Sequence, residues 1–128
     1  MQVFLTRWVA RFARRERISN QSLREAIVRA EQGLVDAELG GGLIKQRVAR
    51  AGKGRSGGYR TIIAYRRGAR AVFLYGFSKS DRENLEPDEL AEFREVGQNW
   101  LNASPRTIAE AIEQSTLLEA NLDEVEET

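Results

Sequence analysis

Leu43-Ile44-Lys45-Gln46-Arg47-Val48-Ala49-Arg50 opens the stretch that decides the fold. With Tyr59–Arg66 and Ala71–Ser78 it makes three runs of about eight residues, rich in Val, Ile, Phe and Tyr and bounded by turn residues. Gly40-Gly41-Gly42 leads into the first run. Ala51-Gly52-Lys53-Gly54-Arg55-Ser56-Gly57-Gly58 joins it to the second, and Arg67-Gly68-Ala69 makes a tight hairpin to the third. Connections this short predict antiparallel neighbours.

Helical periodicity flanks this sheet on both sides. Val3-Phe4-Leu5 reads as a short strand, and Arg7–Arg17 carries Trp8, Val9, Phe12 and Ala13 at helical spacing. Ser19 or Ser22 caps a second helix, Ser22 and Glu25 having the spacing of a capping box; Leu23, Ala26, Ile27 and Ala30 form its stripe. The pair predicts a helical hairpin laid on the sheet. After Lys79, Pro87 starts a helix with Leu90, Phe93, Gly97, Trp100 and Leu101 on one face. Ser104-Pro105 reads as N-cap and first residue of a last helix, striped by Ile108, Ala111, Ile112, Ser115 and Leu118; beyond Ala120 the chain is expected to fray. The order is β-α-α-β-β-β-α-α, an α+β fold with a mainly antiparallel sheet, and at 128 residues the expectation is a single domain, 1–128.

Charge is split along the chain. Residues 1–79 carry seventeen Lys or Arg against five Asp or Glu, and residues 80–128 carry three against fourteen, so a net +1 conceals a basic body and an acidic C-terminal segment. Such segregation raises self-energy unless a polyanion or the other block compensates it. The absence of Cys excludes disulfides and thiolate chemistry, and the absence of His removes imidazole acid–base catalysis, Ser-His-Asp triads and His-based zinc sites. Metal-free chemistry on Lys, Arg, Tyr or carboxylates is the expectation, with no cofactor. No apolar run approaches the ~20 residues of a membrane span, and the N-terminus has no export signal, so the expected location is cytoplasmic.

Period two places Lys45 and Arg47 on one face of their strand and Ile44 and Val48 on the other. The Gly52–Gly58 loop mixes glycines with Lys53 and Arg55, a composition suited to phosphates, but it lacks the Gly-x-x-x-x-Gly-Lys-Ser/Thr pattern of nucleotide hydrolases. If the three strands are neighbours, Lys45, Arg47, Arg60 and Lys79 converge on one cationic site. The competing reading is that each is an edge gatekeeper against aggregation.

The runs Gly42–Arg50, Gly52-Lys53-Gly54-Arg55-Ser56-Gly57-Gly58-Tyr59-Arg60 and Val72–Arg82, ending Phe77-Ser78-Lys79-Ser80-Asp81-Arg82, resemble the RelE/HigB-type toxins of bacterial type II toxin–antitoxin modules, within the RelE/ParE superfamily. The resemblance implies an mRNA interferase: an endoribonuclease that cleaves messenger RNA on the ribosome by 2′-OH attack and inhibits translation. It also implies a cognate antitoxin, a DNA-binding protein encoded in the adjacent gene. By position it assigns Arg60, Lys45, Arg47 and Lys79 to catalysis, and Lys53, Arg55, Tyr59, Phe77 and Arg82 to RNA binding. Many relatives carry Tyr or His where Phe77 stands; Phe77 can stack but cannot donate a proton, so Lys79 or Tyr59 would stand in. A lysine base would need its pKa lowered by Arg47 and Arg60. Two alternatives stay open: a gyrase-poisoning toxin on the same fold, and a non-catalytic RNA- or ribosome-binding protein whose residues 104–128 occlude its own basic groove.

Overall fold

The computed structural model describes residues 1–50 and 54–120, with backbone alone for 54–56. The elements run β1 (Gln2–Thr6), α1 (Arg7–Glu16), α2 (Asn20–Glu31), β2 (Ala37–Gly40), β3 (Leu43–Arg50), β4 (Gly54–Arg66), β5 (Arg70–Ser78), α3 (Pro87–Leu101), α4 (Pro105–Glu113) and β6 (Leu117–Glu119). The fold is α+β, with a six-stranded mixed sheet ordered β2-β3-β4-β5-β1-β6. The three strands read from sequence are indeed consecutive antiparallel neighbours.

Strand alternation makes two cores. Ile44, Val48, Ile63 and Phe73 face one side, where Val9 of α1 and Leu23, Ala26, Ile27 and Ala30 of α2 meet them. Leu43, Ile62, Ala64 and Val72 face the other, covered by Leu101 of α3 and Ile108 and Ala111 of α4. Helices therefore cover both faces of the sheet, which accounts for the apolar residues at successive positions in β4 and β5.

The structure departs from the sequence-based expectation at five places. Ser19, whose hydroxyl accepts from the Ser22 N–H, caps α2, so Ser22 lies inside the helix and forms no capping box with Glu25. Two short strands were not anticipated: β2 has only four residues, and β6 has three. The central sheet is mixed because β1 lies parallel to β5, an arrangement reached through a crossover that no local pattern announces. Residues 54–58, read as part of a glycine-rich loop, are strand backbone, with Gly54 opposite Arg50. Finally, Ser115 and Leu118 do not extend the last helix. Ser115 takes a left-handed φ of 60°, its N–H donates to Ile112 and that of Thr116 to Ala111, which closes α4 with a Schellman motif and sends Leu118 into β6 opposite Leu5. The tail beyond Ala120, and Lys53 with residues 51 and 52, lie outside the described residues.

Left-handed backbone is unfavourable for serine and free of steric cost for glycine. Ser115→Gly is therefore expected to stabilise the protein by about 0.5–1 kcal/mol, read as a higher urea midpoint at unchanged slope.

Candidate nucleic-acid interface

The side of β3 that carries Lys45 and Arg47 meets Arg60 of β4 and Lys79 beyond β5 in a cleft of about 250 Å³, which Asp36, Ala37 and Glu83 complete. Register explains the convergence. Arg47 and Arg60 are directly opposed, Ala37 lies opposite Lys45, and Phe77 lies opposite Arg60. Like charges directly opposed on neighbouring strands are destabilising. Among the described residues no carboxylate lies within ion-pair distance of any of the four cations. Lys45 Nζ donates to Asn84 Oδ1 at 3.0 Å, and the guanidinium of Arg60 makes one long bond, 3.4 Å, to the Gly58 carbonyl. Four cations with so little internal compensation form a site suited to an anion.

The frame behind Arg47 was not anticipated from sequence. Arg29, on α2, donates to the Arg47 carbonyl at 2.6 Å, and Asp36 accepts from the Arg47 backbone N–H at 2.7 Å. Arg29 and Asp36 also pair with each other at 3.4 Å, so this ion pair grips both polar groups of one peptide residue. Gln46, fully buried, points the opposite way from Arg47. Its Oε1 accepts from Asp36 N–H while its Nε2 donates to the carbonyls of Ala26 and Leu34. Gln46 thereby ties the α2–β2 connection to β3. A signal did exist: Gln46 falls between Ile44 and Val48 on the apolar face of a strand, where a polar group must find partners.

Three residues assigned to RNA binding are engaged within the fold. Tyr59 is 2% exposed and points away from Arg60, toward α1, its ring edge-on to Phe12 and its hydroxyl donating to Glu16 at 2.9 Å. Burial, followed by this bond to Glu16, raises its pKa, and the hydroxyl is turned to α1 rather than to the cleft. Phe77 is 3% exposed within the core beneath α3 and has no free ring face for a base. Arg82 lies over the Phe77 ring at 5.8 Å, donates to the Asn84 carbonyl and pairs with Glu89. The bond to Glu89 holds the Arg82 pKa above its ordinary value, and the same contact, with the Glu86 N–H, lowers that of Glu89. The side chain of Arg55 lies outside the described residues, as does Lys53.

The acidic segment divides between two places. Helix α3 packs on β3, β4 and β5, on the side of the sheet that carries the cleft, and the segment before it supplies Glu83 and Asn84. Helix α4 packs on β6, at the opposite edge of the sheet from β2. Residues 104–120 therefore do not cover the cations, which removes the basis for self-occlusion by that part of the chain.

Among the described residues no helix is long and apolar enough to cross a membrane. No curated protein matches the chain. A family model described as the RelE toxin of the RelE/RelB toxin–antitoxin system matches residues 1–120, nearly the whole length, and such a toxin implies an antitoxin partner. The chain belongs to the RelE toxin family.

Proposed function

We propose that this toxin is an endoribonuclease that cuts messenger RNA on the ribosome, without a metal ion, by attack of a ribose 2′-OH on the adjacent phosphorus. The observation that carries the reading is the direct opposition of Arg47 and Arg60 in a cleft shared with Lys45 and Lys79. As the 2′ oxygen adds, the phosphorane gains negative charge on its non-bridging oxygens. Two planar guanidiniums fixed on adjacent strands meet that charge with paired N–H donors and need not reorganise to do so. Lys79, exposed just beyond β5, protonates the departing 5′ oxygen on this reading. Lys45, held by Asn84, binds the neighbouring phosphate.

The size of the cleft bears on where the reaction takes place. About 250 Å³ is below the ~300–1,000 Å³ of pockets that enclose whole small molecules, and it suits one sugar–phosphate unit. Among the described residues no aromatic ring lines it, and none of them can stack on a base there. A second body, the ribosome, must then hold the codon while this chain acts on the backbone. The antitoxin is, on this reading, a separate DNA-binding protein encoded beside the toxin.

Purified toxin should be incubated with messenger RNA, with and without ribosomes, and with gyrase and relaxed plasmid. Cleavage only in the presence of ribosomes, leaving a 2′,3′-cyclic phosphate and a 5′-OH, is the expected result. Blocked supercoiling with intact RNA would move the assignment to gyrase poisoning.

A further inference from the structure

We infer that Glu83 is the general base of this reaction, accepting the proton of the attacking 2′-OH; the inference rests on the nuclease reading above. A chain without histidine must place that role on another group. Arginine cannot be deprotonated in a protein, and a lysine accepts a proton only after losing one, whereas a carboxylate is an acceptor as it stands. Among the described residues two carboxylates line the cleft. Asp36 is engaged by the Arg47 N–H and by Arg29. Glu83 is exposed, and among the described residues its side chain makes no hydrogen bond or ion pair.

Its backbone, by contrast, is held on both sides. Arg82 is anchored by Glu89 and by the Phe77 ring, and its guanidinium donates twice to the Asn84 carbonyl, at 3.2 and 3.1 Å, bridging over Glu83. Asn84 is in turn fixed to β3 through Lys45. A free carboxylate between two pinned neighbours, at the rim of a cationic cleft, has the placement a base requires. The role of Arg82 follows: it positions Glu83.

The step balances. The 2′-OH proton passes to the Glu83 carboxylate as the O2′–P bond forms. The P–O5′ bond breaks and O5′ takes a proton from the Lys79 ammonium. The cyclic phosphate and the 5′-OH leave, and the proton on Glu83 returns to the Lys79 amine through water. The charged groups that share the cleft with Glu83 are Asp36, Lys45, Arg47, Arg60 and Lys79.

The test is single-turnover cleavage of ribosome-bound messenger RNA across pH for the wild type, Glu83→Gln, Glu83→Ala and Arg60→Ala, with ribosome binding measured in parallel. Glu83→Gln is expected to slow cleavage by about 10²–10⁴-fold with binding retained, and to abolish the acid limb of the rate profile. Added formate or acetate should restore part of the Glu83→Ala rate. A Glu83→Gln protein that cleaves within a few-fold of wild type, or that keeps the acid limb, overturns the assignment. If that happens while Arg60→Ala is inactive, the nuclease reading survives without this base; a wild-type protein that cuts no RNA removes both.

Discussion

Arg60→Ala is expected to slow messenger RNA cleavage by about 10²–10³-fold and to relieve growth arrest, without weakening the fold. The magnitude is that of losing one preorganised donor to a transition-state oxyanion. The expectation for stability comes from the register. Arg60 faces Arg47 across the ladder, and among the described residues its one hydrogen bond is the 3.4 Å contact to Gly58. Truncation removes a like-charge pair that opposes the fold, so the midpoint of unfolding should hold or rise slightly. Activity and stability thus move in opposite directions, as at a site where function opposes stability. Undiminished cleavage by this variant would rule out an Arg60-centred phosphate site, and a large loss of stability would show that the guanidinium supports the fold instead.

Phe77→Ala should unfold the protein at a temperature lower by about 10 °C or more, corresponding to roughly 3–5 kcal/mol for deleting a fully buried ring. Phe77 lies in the core beneath α3, opposite Arg60 on the neighbouring strand, and carries the Arg82 guanidinium on its face. Loss of the ring would empty the core under the cleft and free the segment holding Glu83 and Asn84. A base-stacking residue would behave otherwise, losing RNA cleavage while melting as the wild type does. Thermal melts of Phe77→Ala and Phe77→Leu distinguish the two, with the leucine variant expected to recover most of the stability.

Phe77 also illustrates how far the sequence could be read. Period two counted back along Ala71–Ser78 puts residues 73, 75 and 77 on one face. In the structure Ile62 pairs with Tyr75 and Ile63 with Phe73, so Leu74 is an extra residue in the ladder. This bulge turns Phe73 toward α1 and α2 and Phe77 toward α3. A bulge depends on how two strands fit, and nothing in the local pattern of one strand encodes it. The same limit applies to Arg29 and Asp36. Arg29 sits on a helix next to apolar residues and Asp36 in a connection, and only docking of α2 on β3 brings both to the backbone of Arg47.

Local chemistry by itself located the four helices, the Ser19 and Ser104 caps, the three central strands and the face on which Lys45 and Arg47 lie. Periodicity, capping residues and turn residues act within a few positions along the chain and are legible there. The absence of histidine and cysteine likewise bounded the chemistry before any geometry was known. Tertiary structure alone decided that β1 inserts parallel to β5, that Tyr59 and Phe77 are core residues, and that Arg82 is paired with Glu89 while Glu83 has no side-chain partner among the described residues. These features depend on contacts between residues far apart in sequence, whose energies come from burial and from distances of a few ångströms that no one-dimensional pattern specifies.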